Sequence, residues 1–243
     1  MIKEAINRIL ELSEPHVLSP DETELLYSDR KLYPVQKEMK ASAIEMSTLT
    51  SLIEYIKYDI DRKICSYLVH VVSPTRVDLI SCLDYDRERE TLVTVRAEVP
   101  DFCFNTPIGH EQFMIGVQSK FVDGAAEEND KALILKFAGT VTAGSVAEYG
   151  DDGVTQKATI KQGVSSKAEA IVPSPCRLQP YRTFVEIEQP TSEFIFRLGE
   201  RNGEVTCALY EADGGAWKID AKNRIYNYLL NALEDKENII VIA

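Results

Sequence analysis

The chain has 243 residues, of which 44% are hydrophobic and 27% charged, the balance of an ordinary water-soluble globular protein long enough to bury a core without staples. Acidic side chains outnumber basic ones 39 to 27, a formal charge of −12, and no basic cluster interrupts the excess. Proteins that hold duplex nucleic acid neutralise its phosphates with Lys and Arg, so direct DNA binding is not expected here.

The opening "MIKEAINRILEL" places Ile2, Ala5, Ile6, Ile9 and Leu12 at helical spacing. Charges at Lys3, Glu4, Arg8 and Glu11 break it up, which argues against a signal peptide. The later apolar runs fall far short of the roughly 20 residues that span a bilayer, so the expectation is a cytoplasmic protein with no membrane partner. Pro15 and Pro20 enclose a turn, and "ELLYSDRKLYPV" suggests two short strands around Ser28-Asp29. Leu49, Leu52, Ile53, Ile56 and Ile60 then predict an amphipathic helix, started by Ser47 or Thr48, with Ser51 and Glu54 as an alternative capping box.

From residue 66 the period changes to two. "SYLVHVV" and "RVDLISCL" flank Ser73-Pro74-Thr75 as a hairpin, "DYDRERE" is a solvated loop, and "TLVTVRAEV" is a strand with one wet face. Residues 110–121 suit a helix with Phe113, Val117 and Phe121 on one side. "KALILKFAGTV" reads either as a buried strand or as a helix, and its flanks favour the strand. "VTQKATIKQ" alternates as a strand, and "TFVEIE", "EFIFRL" and "EVTCALYE" predict three successive antiparallel strands. Asn202-Gly203 between the last two suits a tight hairpin, because both residue types tolerate positive φ. After Gly214-Gly215 a helix carries Trp217, Ala221, Ile225, Tyr228, Leu229 and Ala232, and "NIIVIA" closes as a strand. The whole predicts one α+β domain over 1–243, mainly antiparallel hairpins or a meander. Residues 1–62 form its helical N-terminal part, 64–211 its sheet-rich core, and 213–243 a C-terminal helix followed by a short strand.

Two patterns resemble catalytic motifs and fail on context. Tyr149-Gly150-Asp151-Asp152 has the letters of a polymerase metal hairpin, but its upstream flank "AGSVAE" is small and polar where a buried strand is required. Asp-Asp-Gly leading into an alternating strand describes a β-turn. Pro20-Asp21 with Asp29-Arg30-Lys31 has the letters of a magnesium nuclease, at too short a separation and with Arg where an apolar anchor belongs. His16, His70 and His110 lack the mutual spacing of metal ligands. The five cysteines Cys65, Cys82, Cys103, Cys176 and Cys207 are at least 17 positions apart, which excludes a C-x-x-C pair and argues against a disulfide framework. No metal, no cofactor and no catalytic residue is therefore assigned.

What remains is "YEADGGAWK". Gly214 and Gly215 expose backbone amides at a helix start, where an anion can bind, and Trp217 can stack on a base. Tyr181 and Arg182 lie near the start of the sheet, where Arg182 would add a bidentate phosphate contact. The plainer alternative has Asp213 capping the helix, the glycines turning the chain, and Trp217 in the core.

"YRTFVEIEQPTSEFIFRL" followed by "ALYEADGGAWK", together with "YGDDGVTQ" and "LVHVVSPTRVDLIS", resembles the YfdQ-like proteins of bacteriophages and prophages, over roughly residues 47 to 230. The resemblance implies a phage-encoded or prophage-encoded protein acting inside a bacterium, and carries no catalytic residues with it. Binding and homo-oligomeric assembly are thus placed ahead of catalysis. The first expectation is an accessory protein that counters host defence by sequestering a small anionic nucleotide signal or a host protein. The alternatives are a self-assembling shell or scaffold, and an enzyme whose acids are scattered through the fold.

Overall fold

A computed structural model describes residues 2–13, 17–18, 27–28, 40–58, 60, 66–84, 87–124, 129–141, 157–162 and 166–243. The chain divides into two units, Met1–Ala41 and Ser42–Ala243. In the first, α1 (Ile2–Ser13) leaves Ile2, Ile6, Ile9 and Leu10 exposed, and β1 (Val17–Leu18) pairs antiparallel with β2 (Tyr27–Ser28). The Tyr-Gly-Asp-Asp stretch, the Pro-Asp pair, the Asp-Arg-Lys triplet, His16 and Cys65 lie outside the described residues.

The second unit is an α+β fold built from two lobes, each a sheet covered by a pair of helices. In the first lobe the helix expected from Leu49, Leu52, Ile53, Ile56 and Ile60 forms as α2 (Leu49–Tyr58); the first four are buried, while Ile60 lies beyond its end and is exposed. Thr48 Oγ1 accepts the Ser51 N–H at 3.2 Å, the side-chain cap that its position predicts. The hairpin around Pro74-Thr75 forms as β4 (Tyr67–Ser73) and β5 (Arg76–Ser81), and β6 (Thr91–Arg96) continues it. Two edge strands add in parallel: β3 (Ile44–Met46) on β6 and β13 (Ile239–Ile242) on β4. Alternation puts Val69, Val71, Val77, Leu79, Val93 and Val95 on the inner face, against α2 and Ile225, Leu229 and Leu233 of the C-terminal segment.

The second lobe has the strand order β10 (Cys176–Leu178), β11 (Ser192–Arg201), β12 (Glu204–Glu211), β7 (Ile108–Gly109), all antiparallel. Asn202 and Gly203 take φ of 54° and 82° between β11 and β12, the left-handed turn that Asn-Gly favours. Helices α3 (His110–Lys120) and α4 (Lys131–Thr140) cover the inner face, where Phe113 stacks on Phe196 with ring centroids 5.4 Å apart. A further hairpin, β8 (Lys157–Gln162) with β9 (Ser166–Ile171), pairs only with itself among the described residues. Helix α5 (Ala216–Ala232) follows β12 and returns the chain to the first lobe.

Two expectations are corrected. "KALILKFAGT" is helix α4, not a strand: Lys131, Ile134 and Ala138 are buried at helical spacing while Leu133 is exposed. Its Ala, Leu and Lys residues are good helix formers, and α3 fastens its start. The buried Lys131 ammonium donates to the carbonyls of Gln118 (2.9 Å) and Phe121 (2.6 Å) at the C-terminal end of α3, and pairs with Asp123. A cation there complements the negative end of the helix dipole.

"TFVEIE" is an irregular loop rather than a strand. Phe184 and Ile187 both enter the first core while Val185 between them is 74% exposed, which strand alternation does not allow. The Gln189 side chain supplies the backbone partners that a neighbouring strand would give. Its Oε1 accepts the N–H groups of Arg182 and Thr183, and its Nε2 donates to the carbonyls of Phe184 and Ile187.

Candidate functional site at the lobe junction

The buried apolar residues form two separate clusters, one per lobe. Between them lies a polar junction with Arg182, Thr183, Gln189 and Ser192 buried in it. Loop 181–190 ties the junction to the first lobe. Phe184 and Ile187 anchor it, Thr183 Oγ1 donates to the Pro74 carbonyl, and Glu186 accepts the Thr50 N–H at the start of α2.

Arg182 is the centre of the junction, with only 7% of its surface exposed. Its Nη1 donates to Glu211 Oε1 at 2.9 Å, and its Nη2 donates to Ser192 Oγ. Ser192 in turn donates to Asp213 Oδ2 at 2.5 Å. The guanidinium carbon sits 3.9 Å from the centroid of the Trp217 ring, a close cation–π stack. Burial brings the Arg182 pKa down to about 10, against the opposing pull of Glu211 and Asp213. Burial works the other way on Asp213 and would raise it. The Ser192 hydroxyl, the Gly215 N–H, the Arg182 charge and the Trp217 backbone N–H outweigh that and hold its carboxyl below the usual value.

Helix α5 begins from a tight turn. Gly214 and Gly215 take φ of +62° and +81°, and a Cβ on either would meet open space or only the Lys218 stem. Glycine is required there by backbone conformation and not by crowding. The Gly215 N–H donates to Asp213 Oδ1 at 2.9 Å, so the chain's own carboxylate occupies the helix start that the sequence offered to an anion.

A cleft of about 560 Å³ opens beside this junction. The second lobe contributes Arg177, Ser192 and Glu193, and α5 contributes Ala216, Trp217 and Asp220. Glu188 and Asp213 complete the charged lining, which is four carboxylates to one guanidinium. Arg224 stands behind it, bonded to Glu188 (2.6 Å) and Asp220 (3.0 Å). Arg177 lies 3.8 Å from Glu193.

Of the five residues assigned from sequence, the structure brings Arg182, Gly215 and Trp217 into one network. Only Trp217 lines the cleft. Gly214 is exposed beside it, and Tyr181 is exposed and bonded through its N–H to Lys120 on the α3 side. Arg182 is not a free phosphate ligand, since its terminal nitrogens are committed to Glu211 and Ser192. Trp217 is half-buried, between the stacking surface and the core residue that the sequence allowed.

Sequence reasoning missed Ser192, Glu211 and Gln189. A signal for the first two is present in the strand parity. Ser192 shares its face with Phe194, Phe196 and Leu198, and Glu211 shares its face with Val205, Cys207 and Leu209. Polar residues ending two apolar rows at the same end of a hairpin mark a buried polar cluster there.

Cys176 and Cys207 are inert: burial pushes both thiols up to about 12. Among the described residues, no three of His, Cys, Asp and Glu converge in a way that could hold a metal ion, and no helix is long and apolar enough to cross a membrane. No family model, no curated protein and no solved structure matches the chain.

Proposed function

We propose that this protein acts by binding, and that the junction cleft takes a basic side chain of a protein partner. The observation that carries this is the lining: Trp217 as an aromatic wall, with the four carboxylates Glu188, Glu193, Asp213 and Asp220 against three guanidiniums, Arg177 in the lining, Arg224 paired with Glu188 and Asp220, and Arg182 stacked on Trp217. Aromatic faces and carboxylates both favour a guanidinium or ammonium group. A nucleotide phosphate would meet those carboxylates, with the nearest helix start already held by Asp213. Of the two ligands expected from sequence, the geometry therefore favours a host protein over an anionic nucleotide. The setting we propose, sequestration of a bacterial partner, rests on the sequence resemblance to phage and prophage proteins alone.

Trp217 is the only tryptophan, so its emission reports on this cleft directly. Titration with a short Arg-containing peptide should change that emission saturably, and Glu193→Lys should weaken the effect at least tenfold. A mono- or dinucleotide that saturates the Trp217 signal while the peptide leaves it unchanged would overturn the assignment.

A second reading, homo-oligomeric assembly, is favoured by β13. Among the described residues it is an edge strand, with no charged or proline residue in "IIVI", and Ile240 and Ile242 are exposed, Ile240 by 57%. Edge strands of isolated proteins usually carry such blocking residues, and an apolar edge invites another strand.

A further inference from the structure

We propose that the chain of contacts Arg182–Ser192–Asp213 is a conformational latch that sets the aperture of the junction cleft. Released, it frees the first turn of α5 from the start of β11 and leaves both cores folded. Four observations converge on this. The two apolar clusters share no residue, so each core closes without the other. What joins them here is polar: Arg182 to Glu211 and Ser192, and Ser192 to Asp213. Hydrogen bonds exchange readily with water, whereas a shared apolar core does not part locally.

The latched state also leaves two donors unsatisfied. Arg182 Nε and Trp217 Nε1 are both buried and have no partner among the described residues. Native proteins pair almost all such groups. Opening would hydrate both, which brings the open state closer in free energy to the closed one. Finally, the chain crosses from β12 to α5 through Gly214 and Gly215, two adjacent positive-φ glycines where an added Cβ would meet nothing at Gly214 and only the flexible Lys218 stem at Gly215. That is a pivot which absorbs backbone rotation without steric penalty.

The residues in the latch line the cleft or touch those that do. Ser192, Asp213 and Trp217 face it, and Arg182 stacks on Trp217. Latch state would therefore govern how much of the Trp217 wall a ligand meets. The latch stands whether or not the cleft takes the ligand class proposed above, because it is read without ligand.

The test uses the full chain and its single tryptophan. Acrylamide quenching of Trp217 should rise about threefold in both Ser192→Ala and Asp213→Asn. Amide exchange should accelerate at residues 214–218 in these variants, with protection at Phe196 and Ile225 unchanged. Unchanged quenching in both variants would overturn the latch. So would a uniform loss of protection across both cores, since the contacts would then be merely structural. Should either variant fail to fold, the wild-type chain decides in low denaturant. There, amides 214–218 should exchange through an opening smaller than global unfolding, and exchange only by global unfolding would refute the proposal.

Discussion

Arg182 shows how one side chain can be both ion-pair partner and packing element. Its guanidinium is held by Glu211 and Ser192 in its own plane and by the Trp217 ring on its face. Arg182→Met preserves much of the packing and removes the charge. It should cost about 1.5–3 kcal/mol, the range for hydrogen bonds to charged groups, measured by denaturant midpoint. Asp213 gives a pH signature. Its folded pKa is lowered, so its contribution is complete above the ordinary carboxylate value of about 3.9 and is lost as pH falls from there through the lower folded value. Asp213→Asn lacks that dependence. The difference in Tm between wild type and Asp213→Asn should be largest at neutral pH and shrink below about pH 4. A difference that grows on acidification would contradict the assignment.

The elements that the sequence described well are those with their own periodicity and punctuation. Helices α2 and α5, the β4–β5 hairpin and the β11–β12 hairpin each carry a complete local signal in apolar spacing and turn residues. Gly203 belongs to that signal, and Gly203→Val should cost about 1–2 kcal/mol because its φ is +82°. Gly109→Ala is the matching control. It sits at φ −59°, and a Cβ added there would meet nothing within 4 Å, so stability should stay within about 0.5 kcal/mol. The elements misjudged are those settled by side-chain contacts that apolar spacing does not record. Helix α4 depends on α3, whose terminal carbonyls take the Lys131 ammonium. Loop 181–190 depends on Gln189, whose amide stands in for the missing strand. The α3 carbonyls lie 10 and 13 positions from Lys131, and Gln189, although it directly follows the misread run, acts through side-chain bonds that apolar alternation does not register.

At the scale of the whole molecule, assembly is the open consequence of β13. Light scattering at micromolar concentration should give a multiple of about 27 kDa, and Ile240→Lys with Ile242→Lys should shift the protein toward a single chain. A monomer in the unsubstituted protein would remove the assembly reading while leaving the cleft untouched. The sequence alone determined the α+β class, the β4–β5 and β11–β12 hairpins and the closing helix and strand, because alternation, helical spacing and turn chemistry act over a few neighbouring residues. It also marked Arg182, Gly215 and Trp217 as worth attention, through charge, backbone freedom and aromatic surface. Only the tertiary structure decided what those residues do. Asp213, two positions from Gly215, fills the helix start. Glu211 and Ser192, 29 and 10 positions from Arg182, take its guanidinium. The sign of the cleft was likewise invisible in the chain, since Glu188, Glu193 and Asp220 converge only when loop 181–190, the start of β11 and α5 are brought side by side. Electrostatic character at a site is a sum over groups close in space, and sequence order does not record that distance.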